Sequence, residues 1–383
     1  MKKFAIVGGG IGGLTLAIAM QRKGMDMKVF EGAPHFKPIG AGIALAANAM
    51  KAFEEIGISG EVIQAGRKIK RMYGKDDRGK VISYTDAVQL TEKYGVVNNF
   101  TIHRADLHEV LTKLLKDDTL VFSKACVDFE QSQNDIVIKF SDGSTASADY
   151  LVACDGIHSP IRKKLLPSSS LRYAGYTCWR AVLDDLPEGF NPDETTETWG
   201  PGRRFGVVPL SNNRVYWFAT LNAKANDLKY KNFTVKDLEM VFKDFHFPIP
   251  AILARTKNEQ LIWSDIMDLK PISQFAFGRV VLLGDAAHAT TPNMGQGACM
   301  AIEDAATLAN GLAKYPAEAA FQKFEAHRIK RTTRIVSQSW TFGKIAQLEN
   351  PLLISLRNGA FRRVPQSTID KQLKALYEVS FDY

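Results

Sequence analysis

The stretch Val280–Asp304, VVLLGDAAHATTPNMGQGACMAIED, decides the fold. It opens on an apolar run, Val280–Leu283, which reads as a buried strand closed by glycine. Gly284-Asp285 ends the strand, a polar loop runs through Pro292, and Gly295-Gln296-Gly297 leads into a helix of small and apolar residues. Asp285 therefore stands at the carboxyl end of a strand, where open α/β sheets bind ligands. The helix N-terminus, with unpaired N–H groups and partial positive charge, is aimed into the same crevice. A ligand bearing diols and developing negative charge suits such a site, and a reduced flavin meets both demands. Alone, the stretch also fits an ordinary strand–loop–helix with Asp285 as a cap, so the rest of the chain must decide.

At 383 residues the chain can bury a large core and form two domains. Its 45% hydrophobic and 23% charged content is that of a soluble globular protein. The net charge of +8 is dispersed apart from local clusters at Arg67–Arg71 and His327–Arg334. These read as solvated faces that attract anionic substrates or cofactors, with no nucleic-acid partner. Cys126, Cys154, Cys178 and Cys299 are widely spaced and in apolar or strand-like contexts, which predicts buried free thiols and no metal site. The apolar start runs into a glycine turn without a cleavage site, and no apolar run is long enough to span a bilayer, so a cytoplasmic protein is expected.

Working outward, Lys3–Val7 is a strand and Leu14–Lys23 a helix, joined by Gly8-Gly9-Gly10-Ile11-Gly12-Gly13. Gly8, Gly10 and Gly13 fit G-x-G-x-x-G in its required strand–helix setting, and Glu31 ends the next strand where a carboxylate can hold an adenosine ribose. The ligand implied is NAD or FAD. Gly40-Ala41-Gly42-Ile43-Ala44-Leu45 is a glycine-rich turn suited to a flat ligand, or a simple loop before a helix at Asn48–Ile56. Residues 67–99 read as strands on a separate layer. Arg104 falls in the first turn of a helix, where a cation is unfavourable unless it meets a phosphate; a surface arginine is the alternative. Asp155-Gly156 ends another apolar strand, Tyr150–Ala153, and so repeats the Gly284-Asp285 pattern.

From 171 to 270, short strands at regular spacing (Thr195–Trp199, Arg204–Pro209, Arg214–Leu221) predict an inserted antiparallel sheet. Trp179, Arg204, Tyr216 and Trp217 are candidates for a pocket wall in it. A long helix is expected at Ala317–Leu348, then a helical tail, Pro351–Tyr383. Its Leu352–Phe361 segment is amphipathic; packing against the first domain accounts for it, with membrane contact as the alternative. The fold class is α/β: a Rossmann-like dinucleotide-binding domain (1–70, 100–170, 271–345), a β-sheet substrate domain (71–99, 171–270) and a C-terminal helical tail (346–383).

Three motifs, Gly8–Gly13 with Glu31, Asp155-Gly156 with Arg162, and Gly284-Asp285 with Pro292 and Gly295–Gly297, span almost the whole chain in order. In these the sequence resembles the single-component FAD-dependent aromatic hydroxylases of the p-hydroxybenzoate hydroxylase fold. Within that family it resembles salicylate- and urate-hydroxylase-like enzymes and zeaxanthin epoxidases, which share a run like Tyr173-Ala174-Gly175-Tyr176. The resemblance implies an FAD-dependent monooxygenase using NADH or NADPH and O₂, with oxygen transferred through a flavin C4a-hydroperoxide. By the same resemblance Gly8, Gly10, Ile11, Gly12 and Gly13 would hold the FAD pyrophosphate, Glu31 the ribose, and Arg104 the phosphate or ribityl region. Asp285 would accept from ribityl hydroxyls, and Asp155 and Gly156 would serve FAD and nicotinamide. Pro292, Gly295, Gln296 and Gly297 would border the isoalloxazine, with Gly42 and Ile43 on its other side.

Arg204 and Tyr216, with Pro292, are the resemblance's catalytic-site residues; Arg204, with Arg180 and Arg203 as further candidates, would suit an anionic aromatic or N-heterocyclic substrate. His288 reads as loop structure, since no residue need be a nucleophile. Oxidation of a polycyclic or isoprenoid substrate, and a non-catalytic carrier on the same fold, are the rival readings. A halogenase is disfavoured by the lack of W-x-W-x-I-P. A monomer or homodimer without stable membrane insertion is expected.

Overall fold

A computed structural model describes residues 2–36 and 41–383, apart from the Gln366 side chain. Gly40 lies outside the described residues. The apolar runs Lys3–Val7 and Tyr150–Ala153 pair in parallel at the centre of a six-stranded sheet, buried on both faces as covered parallel strands are. From one edge the order is Ala276–Phe277, Val280–Leu282, Tyr150–Ala153, Lys3–Val7, Asp26–Phe30, Leu120–Val121; only the Ala276–Phe277 edge is antiparallel. Register aligns the strand ends. Val7 pairs with both Phe30 and Ala153, and Ala153 with Leu282. The next residues of each strand, Gly8, Glu31, Cys154-Asp155 and Leu283-Gly284-Asp285, therefore line one edge of the sheet.

Two helices end at that edge with their N-termini: Ile11–Arg22 and Gly297–Lys314. They pack side by side, a Cβ at Gly12 lying only 3.1 Å from the Ala301 Cβ. Gly8, at φ +106°, puts its Cα so close to the neighbouring strand that a Cβ would fall 2.2 Å from the Cys154 carbonyl oxygen. The glycine fingerprint is thus a packing requirement as well as a turn.

The second large sheet has seven strands in the order Ile262–Leu269, Leu171–Leu183, Val215–Asn222, Arg203–Pro209, Glu194–Gly200, Arg71–Asp76, Val81–Asp86. Its pairs are antiparallel except Glu194–Gly200 with Arg71–Asp76. One face carries Trp179, Phe205 and Trp217, buried with Phe242 and Leu253 against the Val235–Val241 and Ile249–Arg255 helices. The other face, by strand alternation, carries Arg180, Arg204, Tyr216 and Phe218. The Ala317–Ala346 helix runs beside both sheets, burying Phe321, Phe324, Arg328, Thr332, Ile335, Ser339 and Gly343 along one stripe.

Three expectations change. Residues 87–94 are a helix, not a strand: Asp86 caps it, accepting from the Val88 and Gln89 amides at 2.9 and 3.0 Å, and Gly95 ends it left-handed at φ 67°. The tail consists of two helices, Pro351–Phe361 and Gln366–Tyr377, and the first packs on the Val81–Asp86 strand rather than on the parallel-sheet layer. All four cysteines are free, but only Cys178 and Cys299 are buried. Among the described residues no helix is long and apolar enough to cross a membrane, and no cluster could hold a metal ion.

Candidate functional site

The edge of the parallel sheet gathers most of the expected cofactor residues. Glu31 accepts from the Gly9 amide at 2.7 Å and the Ala33 amide at 2.8 Å, so its carboxylate is fixed beside the glycine turn with lone pairs to spare. The Ile11–Arg22 helix starts at Gly10 with no side-chain cap and no acidic residue in its first turn. The Gly297–Lys314 helix starts at Gln296 in the same condition. Two uncapped helix N-termini thus open side by side, a setting that favours negative charge. A Cβ added at Gly10, Gly156 or Gly295 would meet nothing within 4 Å, so backbone there faces open space.

The two aspartates are placed to accept hydrogen bonds. Asp155 Oδ2 accepts weakly from the Ile161 amide at 3.5 Å, while buried Oδ1 has no partner. Burial pushes the Asp155 carboxyl above the usual range. Asp285 is exposed at the floor of the cleft yet crowded by protein, and burial raises its carboxyl too, against the pull of His288, Arg104 and Arg162. Arg104 is exposed, and its backbone N–H donates to Ala41 at 3.0 Å beside the Gly42–Leu45 strand. Unpartnered acceptors, free helix N–H groups and an exposed arginine together fit a polyol carrying phosphates, as FAD does.

The seven-stranded sheet closes over this cleft at two points. Gly42 is one: a Cβ there would lie 2.7 Å from Tyr216 Cδ1, so the glycine lets the strand rest on the tyrosine ring. Asn293 is the other. Its Oδ1 accepts from Tyr176 Oη at 2.9 Å and Arg204 Nη2 at 2.7 Å, and its Nδ2 donates to Thr291 Oγ1 at 2.9 Å and the Ser339 carbonyl at 3.0 Å. Every hydrogen-bonding position of this amide is filled, which pins the Pro292–Met294 turn to the sheet.

The sheet residues named from sequence divide by face. Trp179 and Trp217 are core, not pocket wall. Arg203 points the same way and pairs with Asp244 at 2.7 Å, which removes it as a substrate ligand. Arg204 is on the site face but buried, donating to Gln347 Oε1 at 3.0 Å, Glu197 Oε1 at 3.0 Å and Asn293. Its charge is already paired with Glu197. Tyr216 is buried and its hydroxyl bonds to no described residue; burial raises its pKa. Arg180 lies opposite Phe218 and diagonal to Tyr216, half-buried, with Nη2 on Ser264 Oγ and Nε unpartnered. Among the described residues no carboxylate pairs with it.

Behind the cleft is a network that the sequence did not disclose. Asp304 accepts from the Gly284 amide at 3.0 Å and Arg328 Nε at 2.6 Å and holds His288 Nε2 at 2.6 Å. His288 is therefore structural. Glu303 takes Arg328 Nη1 at 2.5 Å and Arg331 Nη2 at 2.7 Å, while Asn48 Nδ2 donates to Gln296 Oε1 at 2.9 Å and also to Glu303. Burial works against the Asp304 charge, but His288 and Arg328 outweigh it and bring the carboxyl down to about 2.

Comparisons with known proteins bear on the family and the fold. Residues 2–339 match the family model described as "FAD binding domain". The aurachin C monooxygenase/isomerase of Stigmatella aurantiaca is 39% identical, over 96% of each chain. A FAD-dependent urate hydroxylase of Klebsiella pneumoniae is 31% identical, over 96% of this chain and 98% of that one. A Klebsiella pneumoniae crystal structure with FAD and uric acid superposes with a TM-score of 0.89 at 29% identity, covering 98% of this chain and 96% of that one.

Proposed function

The chain belongs to the FAD binding domain family, as an FAD-dependent monooxygenase, and on that premise we propose that it hydroxylates an aromatic or N-heterocyclic ring bearing an oxygen substituent. The observation that carries this reading is the cleft itself, where two uncapped helix N-termini, the unpartnered Oδ1 of Asp155 and the exposed carboxylate of Asp285 meet at one edge of the parallel sheet. Bound FAD supplies the redox chemistry, accepting hydride from NADH or NADPH and activating O₂. Gly8–Gly13 and Glu31 would hold its dinucleotide half, Arg104 its phosphates, and Asp155 and Asp285 its hydroxyls. The N–H groups at Gly297 would stabilise negative charge on a bound flavin, and the sheet would exclude water from the site.

On the substrate side the roles change from those first expected. Arg204 has no free charge and acts as a positioning residue that holds Asn293 and thereby Pro292. Arg180 pairs with no carboxylate among the described residues, and the hydroxyl of Tyr216, diagonal to it, bonds to none of them. Together they suit a carbonyl, phenolate or enolate oxygen. An arginine stabilises the deprotonated, more electron-rich form of such a ring, which is the form that accepts an electrophilic oxygen. Urate and aurachin C, named for the relatives, are the first substrates to try.

The test follows NADH and NADPH oxidation by purified, FAD-loaded protein with urate, quinolones and aromatic acids, tracking product mass and peroxide. A compound that speeds oxidation and gains one oxygen supports the reading. Protein that neither carries nor accepts FAD overturns it.

A further inference from the structure

The Pro351–Phe361 helix turns Phe361 inward, its ring 5.4 Å from that of Trp199, but leaves its leucines outside. Its buried residues are polar, Arg357 and Asn358, while Leu352, Leu353 and Leu356 stand 76%, 48% and 70% exposed. The inward face has a clear purpose. Arg357 Nη1 donates to the carbonyls of Ile345 and Ala346 at 3.2 and 3.0 Å, satisfying the open C-terminus of the Ala317–Ala346 helix. Its guanidinium lies 5.0 Å over the Trp199 ring, and Asn358 Oδ1 accepts from its Nε at 2.9 Å. Once these two residues are fixed inward, helical geometry turns Leu352 and Leu356 out and leaves Leu353 at the margin. Single exposed leucines need no explanation, but three on one face of an eleven-residue helix do.

Neighbouring elements extend the apolar face. Arg362 Nε donates to the Val81 carbonyl at 3.0 Å, which brings exposed Val81 alongside, and the Arg357 bond to Ile345 does the same for that exposed residue. Cations border it. Arg363 is exposed and among the described residues donates only to the Gly359 carbonyl at 3.3 Å, and Arg78 and Lys80 are exposed in the hairpin turn before Val81, against Asp77 in that turn and exposed Glu349 before the helix. The chain as a whole carries +8.

We propose that this helix is an interfacial foot that beds its leucines in the surface of an anionic lipid bilayer. Apolar side chains rimmed by arginine and lysine are the composition such helices use. At about 1.5 Å per residue the helix is too short to span the roughly 30 Å of a bilayer core, so it lies in the interface. A second copy of the chain fits less well. The five apolar side chains offer on the order of a few hundred Å², against the ~800 Å² that each partner of a stable complex buries. A two-fold contact would also bring Arg363 toward its own copy. The foot is joined to the substrate side: Gln347, four residues before it, accepts from Arg204 Nε at 3.0 Å and Thr220 Oγ1 at 3.2 Å. Bedding this helix would set the Val81–Asp86 edge of the seven-stranded sheet beside the lipid.

The experiment sediments FAD-loaded full-length protein with vesicles of phosphatidylcholine alone or mixed with phosphatidylglycerol, at low and high salt. The protein should sediment with the mixed vesicles, less so at high salt. The triple variant Leu352→Ser/Leu353→Ser/Leu356→Ser should lose binding at least tenfold, since these leucines are the side chains that enter the lipid. Its melting temperature and NADH oxidation should stay those of the wild type. Absence of vesicle binding, or a triple variant that binds like the wild type, overturns the proposal. So does a wild-type dimer that the triple variant converts to monomer, because the face then belongs to a second copy.

Discussion

Gly343→Ala pits two effects of opposite sign against each other. The residue is in the interior of the Ala317–Ala346 helix, where alanine is better than glycine by about 1 kcal/mol. Propensity alone therefore forecasts a more stable protein. The contact says otherwise. A Cβ at Gly343 would lie 2.3 Å from Asn293 Nδ2, where carbon and nitrogen normally stay about 3.5–4 Å apart. Asn293 must move by about 1 Å, yet its amide is held by four hydrogen bonds of 2.7–3.0 Å. A shift of that size breaks most of them. With about 1 kcal/mol lost per bond and more for any group left buried and unpaired, the cost is roughly 3–5 kcal/mol. The net destabilisation is then about 2–4 kcal/mol. Urea denaturation of the FAD-loaded protein measures it, with Gly359→Ala as control, since a Cβ there meets only the mobile end of Arg363 at 3.3 Å. The control should be neutral or slightly stabilising. Asn293→Ala with Gly343→Ala should be no worse than Asn293→Ala alone. If Gly343→Ala is as stable as the wild type and hydroxylates normally, Asn293 does not pin the turn to the sheet.

Arg180→Gln should raise KM for an oxygen-bearing substrate by about tenfold or more while kcat changes less, the loss expected for a charge-assisted hydrogen bond; an unchanged KM would remove Arg180 from the substrate site. Arg328→Met should cost about 3–5 kcal/mol, because it leaves Glu303 and Asp304 buried with one fewer cation, whereas Arg362→Met, at a more exposed pair with Asp76, should cost at most about 1 kcal/mol. The same network sets an acid limit. A carboxyl depressed to about 2 in the folded protein contributes stability present above its unfolded value near 4 and lost as pH falls between the two. Denaturation midpoints across that window should fall at higher pH in Arg328→Met, and coincident acid profiles would count against the network.

How much of this is legible in the sequence depends on whether the partners are close along the chain. The cofactor cleft is legible because its parts are contiguous: strand, glycine turn and helix in Gly8–Gly13, strand and aspartate in Gly284-Asp285. Parallel register then brings separate segments to one edge. Alternation in the second sheet is also legible, but its parity is not. Arg203 and Arg204 are adjacent, as are Tyr216 and Trp217, and each pair looks like two wall residues. Only the helices packed on one face decide that Arg203 and Trp217 turn from the site while Arg204 and Tyr216 turn toward it. The Ala87–Tyr94 helix escapes a reading of the sequence although Asp86 and Gly95 flank it, because strand-like neighbours on either side suggest a third strand.

Asn293 and Arg328 leave no local trace. Their partners are 24 to 117 residues away apart from Thr291, so neither periodicity nor spacing could join them. The Pro351–Phe361 helix is the sharpest instance. Its amphipathic pattern is plain in the sequence, and the usual inference buries the leucines. Ile354 and Phe361 do turn inward, and what sets Arg357 beside them in place of a leucine is a deficit at the end of another helix: the carbonyls at Ile345 and Ala346 need a donor, and Arg357 is the group that reaches them. A hydrophobic pattern thus fixes that a helix has two faces, while the unsatisfied polar groups of its neighbours select which face turns inward.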